Sequence, residues 1–390
     1  MGVGLRQIGE VFFAALRLGL TSFGGPNAHF AYFRQEYVVR RQWLEDDSFS
    51  ELLALSQVIP GPSSSQVGMA IGHLRAGWLG SVAAWAGFTL PSAVIMILLA
   101  SLFGRWTGAD LVVFTHGLLL VAVAVVAQAV GQLYRSQCKT SLLSIIAWAA
   151  FAALVLFPSP WTLPAILVAG ALLGAATASP TESPLPQVGS GRRASVIALL
   201  IFLGLAVLLP WLRATFSDPP LAWMDAFYRT GSWVFGGGHI VLPWLNREVV
   251  GTGWVSSEAF MAGYGAAQAL PGPLFTVAAF LGMLVGGLPG ALIALFAIFL
   301  PGFLLIGGLL PFWSRLRSRR RLRGAMAGAS ATVVGLLAST LLSPIGAALV
   351  RPGDWVVAAG LFLLLITGRC PTWIVVLTGA LAGPLVLLLR

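Results

Sequence analysis

Long apolar runs separated by short polar loops dominate the chain. Runs long enough to cross roughly 30 Å of hydrocarbon at about 1.5 Å per residue lie at Gly77–Phe103, Leu111–Leu133, Ser141–Phe157, Trp161–Ala178, Ser195–Trp211, Leu288–Leu310, Ala325–Leu342, Trp355–Thr367 and Thr372–Leu389. Trp355–Thr367 is short for a full crossing and must borrow flanking residues. Two further stretches, 4–75 and 221–287, are apolar but broken by Gly/Pro clusters. The first carries Glu10, Arg17, Arg34, Glu36 and Glu51, the second Asp225, Arg229, Glu248 and Glu258. Ser179–Arg193, rich in Pro, Ser and Gly, reads as a linker. This pattern predicts an all-α polytopic membrane protein.

Composition points the same way. Of 390 residues 58% are hydrophobic and 9% charged, too few charges to cover a water-soluble protein of this size. The net charge of +10 comes almost wholly from arginine, with Lys139 the only lysine. The basic residues fall in short loops between apolar runs, so the positive-inside rule accounts for them without a nucleic-acid partner. Cys138 and Cys370 make neither metal spacing nor a disulfide framework. Arg17 interrupts the first apolar run, so a removable signal peptide is not expected.

The chain repeats itself. Arg17 and Phe23-Gly24-Gly25 recur as Arg229 and Phe235-Gly236-Gly237; Glu36, Trp43, Phe49 and Gln57 recur as Glu248, Trp254, Phe260 and Gln268. Pro60-Gly61-Pro62 recurs as Pro271-Gly272-Pro273, Gly77 and Gly80 as Gly287 and Gly290, and Leu90-Pro91 as Leu300-Pro301. The offset drifts only from 212 to 210 residues, so the chain is two copies of one unit. The division is 1–178 for the first copy, 179–220 for a linker with one membrane helix, and 221–390 for the second copy. The densest basic cluster, Arg315 to Arg323, follows Leu288–Leu310 and is assigned to the cytoplasm. Alternation then puts the equivalent first-copy loop, around Arg105, outside, so the copies are inverted. Arg213 and Arg351 fall outside and weaken the assignment. Four spans per copy plus one linker helix give inversion only if each broken region begins and ends on one side, as re-entrant hairpins do.

Gly24-Gly25-Pro26 and Pro60-Gly61-Pro62 would unwind a helix, and broken backbone survives in a bilayer only where protein or a wet cavity covers it. Half-helix N-termini in such repeats present free N–H groups and positive dipole ends to anions. Ser63, Ser64 and Ser65 stand in the first turn after one break, with Thr276 at the equivalent place in the second copy. Kinks without a ligand are the alternative. Arg17 and Arg229 sit about 9 Å of helix before their Gly-Gly breaks and offer planar forks for an oxyanion, unless they snorkel to an interface. Asn27 and His239 follow the Gly-Gly breaks and could line the site or cap a half-helix. His29 belongs to the same cavity, while His73 and His116 have no partner in the sequence and read as structural. Gln57 and Gln268 precede the Pro-Gly-Pro breaks and could donate amides. Glu36 and Glu248 lie near basic residues, so an ion pair competes with a transport role. The candidate substrate-binding set is therefore Arg17, Ser22, Gly24, Gly25, Asn27, His29, Gln57, Gly61, Ser63, Ser64 and Ser65 in the first copy. In the second copy it is Arg229, Gly236, Gly237, His239, Gln268, Gly272 and Thr276. No catalytic, metal or cofactor site is expected. Zinc-hydrolase, nucleophile-elbow and P-loop motifs are missing from the sequence, which argues against an enzyme or an ATP-driven pump.

Leu18-Gly19-Leu20-Thr21-Ser22-Phe23-Gly24-Gly25-Pro26 with Ala28-His29, followed by Trp43, Pro60-Gly61-Pro62, Gly77, Gly80 and Leu90-Pro91-Ser92, resembles the chromate ion transporter family. Phe235-Gly236-Gly237-Gly238, Gly253-Trp254 and Ala267-Gln268 before Pro271-Gly272-Pro273 resemble its C-terminal half. The resemblance spans nearly the whole chain. It implies a multi-pass protein of the bacterial inner membrane that extrudes chromate and confers resistance. The expected partners are the anion and the lipid bilayer, with a homodimer as a candidate assembly that the residues do not decide. Sulfate, another tetrahedral dianion, is the competing substrate, by uptake or exchange. Leu274-Phe275 and Pro301-Gly302 depart from the first copy's Ser63-Ser64 and Pro91-Ser92, so the first copy is expected to dominate substrate contact.

Overall fold

The computed structural model describes residues 4–103, 109–157, 159, 162–177, 192–234, 241–313, 319–342, 352–367 and 372–388. The Pro/Ser/Gly linker and the loops carrying Arg105, Arg315, Arg351 and Arg369 lie outside or largely outside the described residues. No strand occurs among the residues described. The first copy supplies α1 (Leu5–Thr21), α2 (Gly25–Phe33) with a π-helical continuation (Arg34–Arg40), α3 (Asp46–Val58), α4 (Ser63–Phe103), α5 (Ala109–Gln137), α6 (Ser141–Leu156) and α7 (Thr162–Thr177). α8 (Arg192–Thr215) follows. The second copy supplies α9 (Pro219–Trp233), α10 (Val241–Leu245) with a π-helical continuation (Asn246–Val250), α11 (Ser257–Ala269) and α12 (Val277–Leu309) behind a 3-10 turn (Leu274–Thr276). Its last described helices are α13 (Arg320–Thr340), α14 (Pro352–Thr367) and α15 (Thr372–Leu388). Every apolar run read from the sequence forms a helix. Leu79, Val94, Leu98, Ile197, Leu200 and Val207 are among the many large apolar side chains left exposed, a surface that suits lipid and not water.

Two compact units make up the chain. One comprises residues 1–112 and 187–312, the other 113–186 and 313–390, so each draws on both copies. In the second unit, small residues bring helices to backbone contact. A Cβ at Gly170 or Gly174 of α7 would collide with Thr332 or Gly324 of α13, and one at Gly335 with the Ala147 carbonyl of α6. Such stripes are how membrane helices gain close packing without a hydrophobic drive between them. His116, without a partner in the sequence, meets the buried Asp354 at 2.8 Å between α5 and α14.

The first unit contains the broken helices. α4 is not one straight rod. Ala76 (φ −145°, ψ 30°) and Gly77 (φ 60°, ψ −153°) leave helical geometry, and Ser81 Oγ donates to the Met69 carbonyl at 2.7 Å. Twelve residues of straight helix would hold those groups about 18 Å apart, so α4 is a tight hairpin turning at Gly77. α12 does the same with nearly identical dihedrals at Gly286 (φ −141°, ψ 23°) and Gly287 (φ 60°, ψ −154°). Gly72 packs on Gly80 in one hairpin and Gly282 on Gly290 in the other.

The turn conformation at Gly77 and Gly287 is open to glycine alone and strains any other residue by about 1–3 kcal/mol. Neither glycine has a neighbour within 4 Å of where a Cβ would stand. Alanine at either is therefore expected to lower the unfolding midpoint by strain without a clash. Gly131→Ala, in the middle of α5 with equally open space, should raise the midpoint slightly. Thermal unfolding of the detergent-purified protein measures both.

Candidate functional site where four chain breaks meet

The broken regions fold back on themselves as helical hairpins. Arg17 and Glu36 stand nineteen residues apart yet touch (Nη1–Oε2 3.5 Å), so α1 and α2 fold back at the Ser22–Gly24 break. Trp43, before α3, lies beneath both Arg41 (5.1 Å) and Arg75 (5.2 Å). α3 and the first arm of α4 therefore start and finish at the same level, with Pro60-Gly61-Pro62 at their tip. The second copy repeats the fold-back between its first two helices, while its tryptophan meets α8 instead. Arg229 reaches Glu248 at 3.2 Å, again nineteen residues on, and Arg213 stands 5.6 Å from the Trp254 ring.

The tips of one copy bond the tips of the other. The Gly61 N–H donates to the Val234 carbonyl at 2.7 Å, and the Gly272 N–H to the Ser22 carbonyl at 3.0 Å. Ser22 and Val234 are equivalent positions, as are Gly61 and Gly272, so the two bonds are one interaction related by the repeat. Gly61 also sits against Gly302, and Gly272 against Ser92, another equivalent pair. A Cβ at Gly61 would lie 3.1 Å from the Gly302 Cα. One at Gly272 would lie 2.8 Å from Ser92 Oγ. The α4 hairpin fixes the depth. Met69 faces Ser81 and Gly72 faces Gly80, so continuing both arms at equal rise brings Ser63 level with residues 87–89. Phe88 and Ser92 touch the other crossing, so both crossings share one level.

Buried hydroxyls without partners gather there. Ser22 Oγ, Ser63 Oγ, Ser65 Oγ, Thr89 Oγ1 and Gln66 Oε1 have no hydrogen-bond partner among the described residues, nor does either ring nitrogen of His29. All six residues are nearly inaccessible. Unmade hydrogen bonds at buried hydroxyls cost about 1–3 kcal/mol each, so such a group in a native protein calls for an explanation. α2 and α4 begin at these breaks, behind Gly24 and Pro62, and no side chain caps α2. Free N–H groups and positive dipole ends therefore share the level of the hydroxyls. The polar groups belong to the first copy. Ser22, His29, Ser63, Gln66 and Thr89 correspond to Val234, Val241, Leu274, Val277 and Phe299. Thr276, equivalent to Ser65, bonds its hydroxyl to the Pro273 carbonyl at 2.9 Å.

The arginines are held elsewhere. Glu36, buried, accepts from Arg17, Arg40 (3.1 Å) and Arg41 (2.6 Å). In the second copy the buried Asp225 and the partly exposed Glu248 share Arg229 and Arg213, with Arg229 Nη2 2.5 Å from Asp225 Oδ2 and Arg213 Nη1 at 3.0 Å. Both clusters lie back along the hairpins from the tips. Gln57 is exposed, and Gln268 is buried against Tyr264 on its own helix. Ser64 is buried between Ser63 and Ser65. Asn27 lies in α2, its side chain outside the described residues, as are Gly236, Gly237 and His239. Thr89 lies inside a full apolar span and carries no signal of its own in the sequence, and Ser92 and Gly302 stand out there only as a difference between the copies. The repeated Leu-Pro beside them was the signal that could have found all three. An apolar cavity of about 160 Å³ between α4 and α12, lined by Met69, Trp85, Phe299 and Phe303 among others, has no polar wall to hold an anion.

The two-copy architecture with broken hairpins has relatives. The profile of the chromate transporter family matches residues 9–175 and 221–384, one match in each copy. The chain belongs to that family. It is similar to the chromate transport protein of Pseudomonas aeruginosa, with 30% identity over 97% of this chain and 92% of the relative. Similarity extends to the probable chromate transport protein of Synechococcus elongatus, 29% identical over 87% of this chain and 84% of that one. The chromate transport protein of Cupriavidus metallidurans is 27% identical over 87% and 82%. No solved structure matches the chain significantly. As a chromate transporter family member the chain is a multi-pass membrane protein. The family match covers both sets of chain breaks and, apart from Arg213, both arginine–carboxylate clusters.

Proposed function

We propose that this protein carries chromate outward across the bacterial inner membrane by secondary active transport and so confers chromate resistance. The observation that carries the reading is the set of buried, unpartnered hydroxyls at the level where four chain breaks and two half-helix N-termini meet. A dianion stripped of water needs several donors at once. Ser22, Ser63, Ser65 and Thr89 with the free N–H groups of α2 and α4 supply neutral donors around a tetrahedron of oxygens. The names of the relatives support chromate as the cargo.

Arg17 and Arg229, engaged by carboxylates, serve this reading as ties that hold the hairpin mouths, and the excess positive charge of the Glu36 cluster lies behind the site. Outward movement of an anion needs no ATP. Each elementary charge moved through an inside-negative 100 mV gains about 2.3 kcal/mol, roughly fifty-fold in concentration ratio. Sulfate shares charge and shape with chromate, and no group at the crossing tells the central atoms apart, so sulfate is expected to compete.

Proteoliposomes with a potassium diffusion potential test this. Chromate flux should follow the potential and fall in the presence of sulfate. Ser63→Ala with Ser65→Ala should lower flux at least tenfold without lowering the unfolding midpoint, since the hydroxyls removed have no partner among the described residues, whereas Thr276→Ala, whose hydroxyl is already bonded, should change flux little. Full flux in the double serine variant would remove the hydroxyl site from the mechanism.

A further inference from the structure

His29 is a buried histidine whose two ring nitrogens have no partner among the described residues. It stands on α2, one turn past the Gly24-Gly25 break. Its ring lies edge-on to Phe88 at 5.3 Å and stacked toward Phe33 at 6.4 Å. Phe88 and Ser22 are the residues that receive Gly272, through a close approach and a hydrogen bond. One polar neighbour, the Ser22 backbone, lies beside the imidazole but outside good hydrogen-bonding geometry. His29 therefore borders the crossing with both nitrogens uncommitted. Its counterpart in the second copy is Val241, so the arrangement occurs once.

The charged groups on the elements around α2 and α4 are engaged by one another. On the π-helical continuation of α2, Glu36 holds Arg40 and Arg41 together with Arg17 of α1, and Tyr37 stacks on Trp43. On α4, Arg75 sits on Glu10 and Trp43; His73, whose Nδ1 is also unpaired among the described residues, lies edge-on to Trp78 near the Gly77 turn, about 15 Å of helix from Ser63 and the crossing. Glu10 also holds Arg6, Glu51 has a partner of its own, and Asp225 is bound to two arginines. An imidazole is the one side chain whose ordinary pKa lies in the physiological range. An arriving dianion favours its charged form.

We propose that His29 is the proton-binding residue of the anion site, taking up one proton as a tetrahedral dianion enters and releasing it as the anion leaves. The inference rests on the anion-site reading above. The proton comes from water on the loading side, forms an N–H bond on the imidazole that donates to the oxyanion, and returns to water on release. One proton then travels with each dianion, and the charge moved per cycle is one instead of two.

Sulfate is the probe, because it stays a dianion across roughly pH 5.5 to 8.5, so any pH dependence of its binding belongs to the protein. Its affinity for the purified full chain, followed by calorimetry, should fall about tenfold per pH unit on the alkaline side. Sulfate added in weak buffer should take up about one proton per bound anion. His29→Asn and His29→Gln should each flatten the pH dependence and abolish the proton uptake. Ser63→Ala should weaken binding at every pH and keep the slope. Binding by the wild type with no pH dependence and no proton uptake would overturn the assignment and leave the anion site standing. An unchanged slope in both His29 variants would do the same. No sulfate or chromate binding at any pH would remove the anion site and this proposal with it.

Discussion

Alanine at Gly61 or Gly272 is expected to abolish transport while most of the fold survives. Gly61 has φ +130° and Gly272 φ +100°, conformations that strain an L residue by about 1–2 kcal/mol. The added methyl also meets structure that cannot yield freely. At Gly61 it would lie 2.6 Å from Gln66 Nε2, an atom bonded to the Pro60 carbonyl at 2.7 Å, and 3.1 Å from the Gly302 backbone. At Gly272 it would meet Ser92 Oγ and lie 3.2 Å from the Phe88 carbonyl. Overpacking of that kind adds about 1–3 kcal/mol. Relief comes from withdrawing the tip, which breaks the Gly61–Val234 or Gly272–Ser22 bond and moves the hydroxyls out of register. The hairpin arms pack elsewhere, as Gly19 does on Phe88 and Gly231 on Ile298, so the protein should still insert. Chromate flux in vesicles should fall at least tenfold in each variant at normal protein abundance. Wild-type flux in both would show that the crossing is not on the transport path.

Arg229→Gln should destabilise the protein far more than Arg17→Gln, although the two arginines are equivalent by sequence. Asp225 is buried, and its Oδ2 is held by Arg229 and Arg213. Removing Arg229 leaves Arg213 to serve two carboxylates, and stripping a partner from a buried charge costs about 3–5 kcal/mol. In the first copy Glu36 keeps Arg40 and Arg41 when Arg17 is lost. Arg17 is also half-exposed and only 3.5 Å from Glu36, a contact worth about 1 kcal/mol or less. The unfolding midpoint in detergent should drop markedly for Arg229→Gln and little for Arg17→Gln. Adding Asp225→Asn to Arg229→Gln should restore most of the loss by removing the orphaned charge. Equal losses in the two single variants, or no rescue, would show that the clusters do not carry this difference.

Helices, hairpin regions and the duplication were legible along the chain because their signals are local. Apolar run length is set by bilayer thickness. Glycine and proline mark breaks by their own backbone limits, and a repeat shows as equal residues at a constant offset. The serines after Pro60-Gly61-Pro62 could be named for the same reason. Two things waited for the tertiary structure. Arg17 and Arg229 read as ligands, because sequence spacing shows how far a charge stands from a break but not which carboxylate reaches it first. Glu36 and Glu248 reach them only because each hairpin folds back across nineteen residues. The crossing itself was hidden for a like reason. Gly61 meets Val234 and Gly272 meets Ser22 across more than 170 residues, and no local pattern encodes a bond between the tips of two hairpins. The sequence by itself determined that the chain breaks four times within its apolar regions. The packing of one copy against the other decided that the breaks meet, because each tip's glycine N–H, unsatisfied in its own hairpin and denied water, finds its acceptor on the opposite copy.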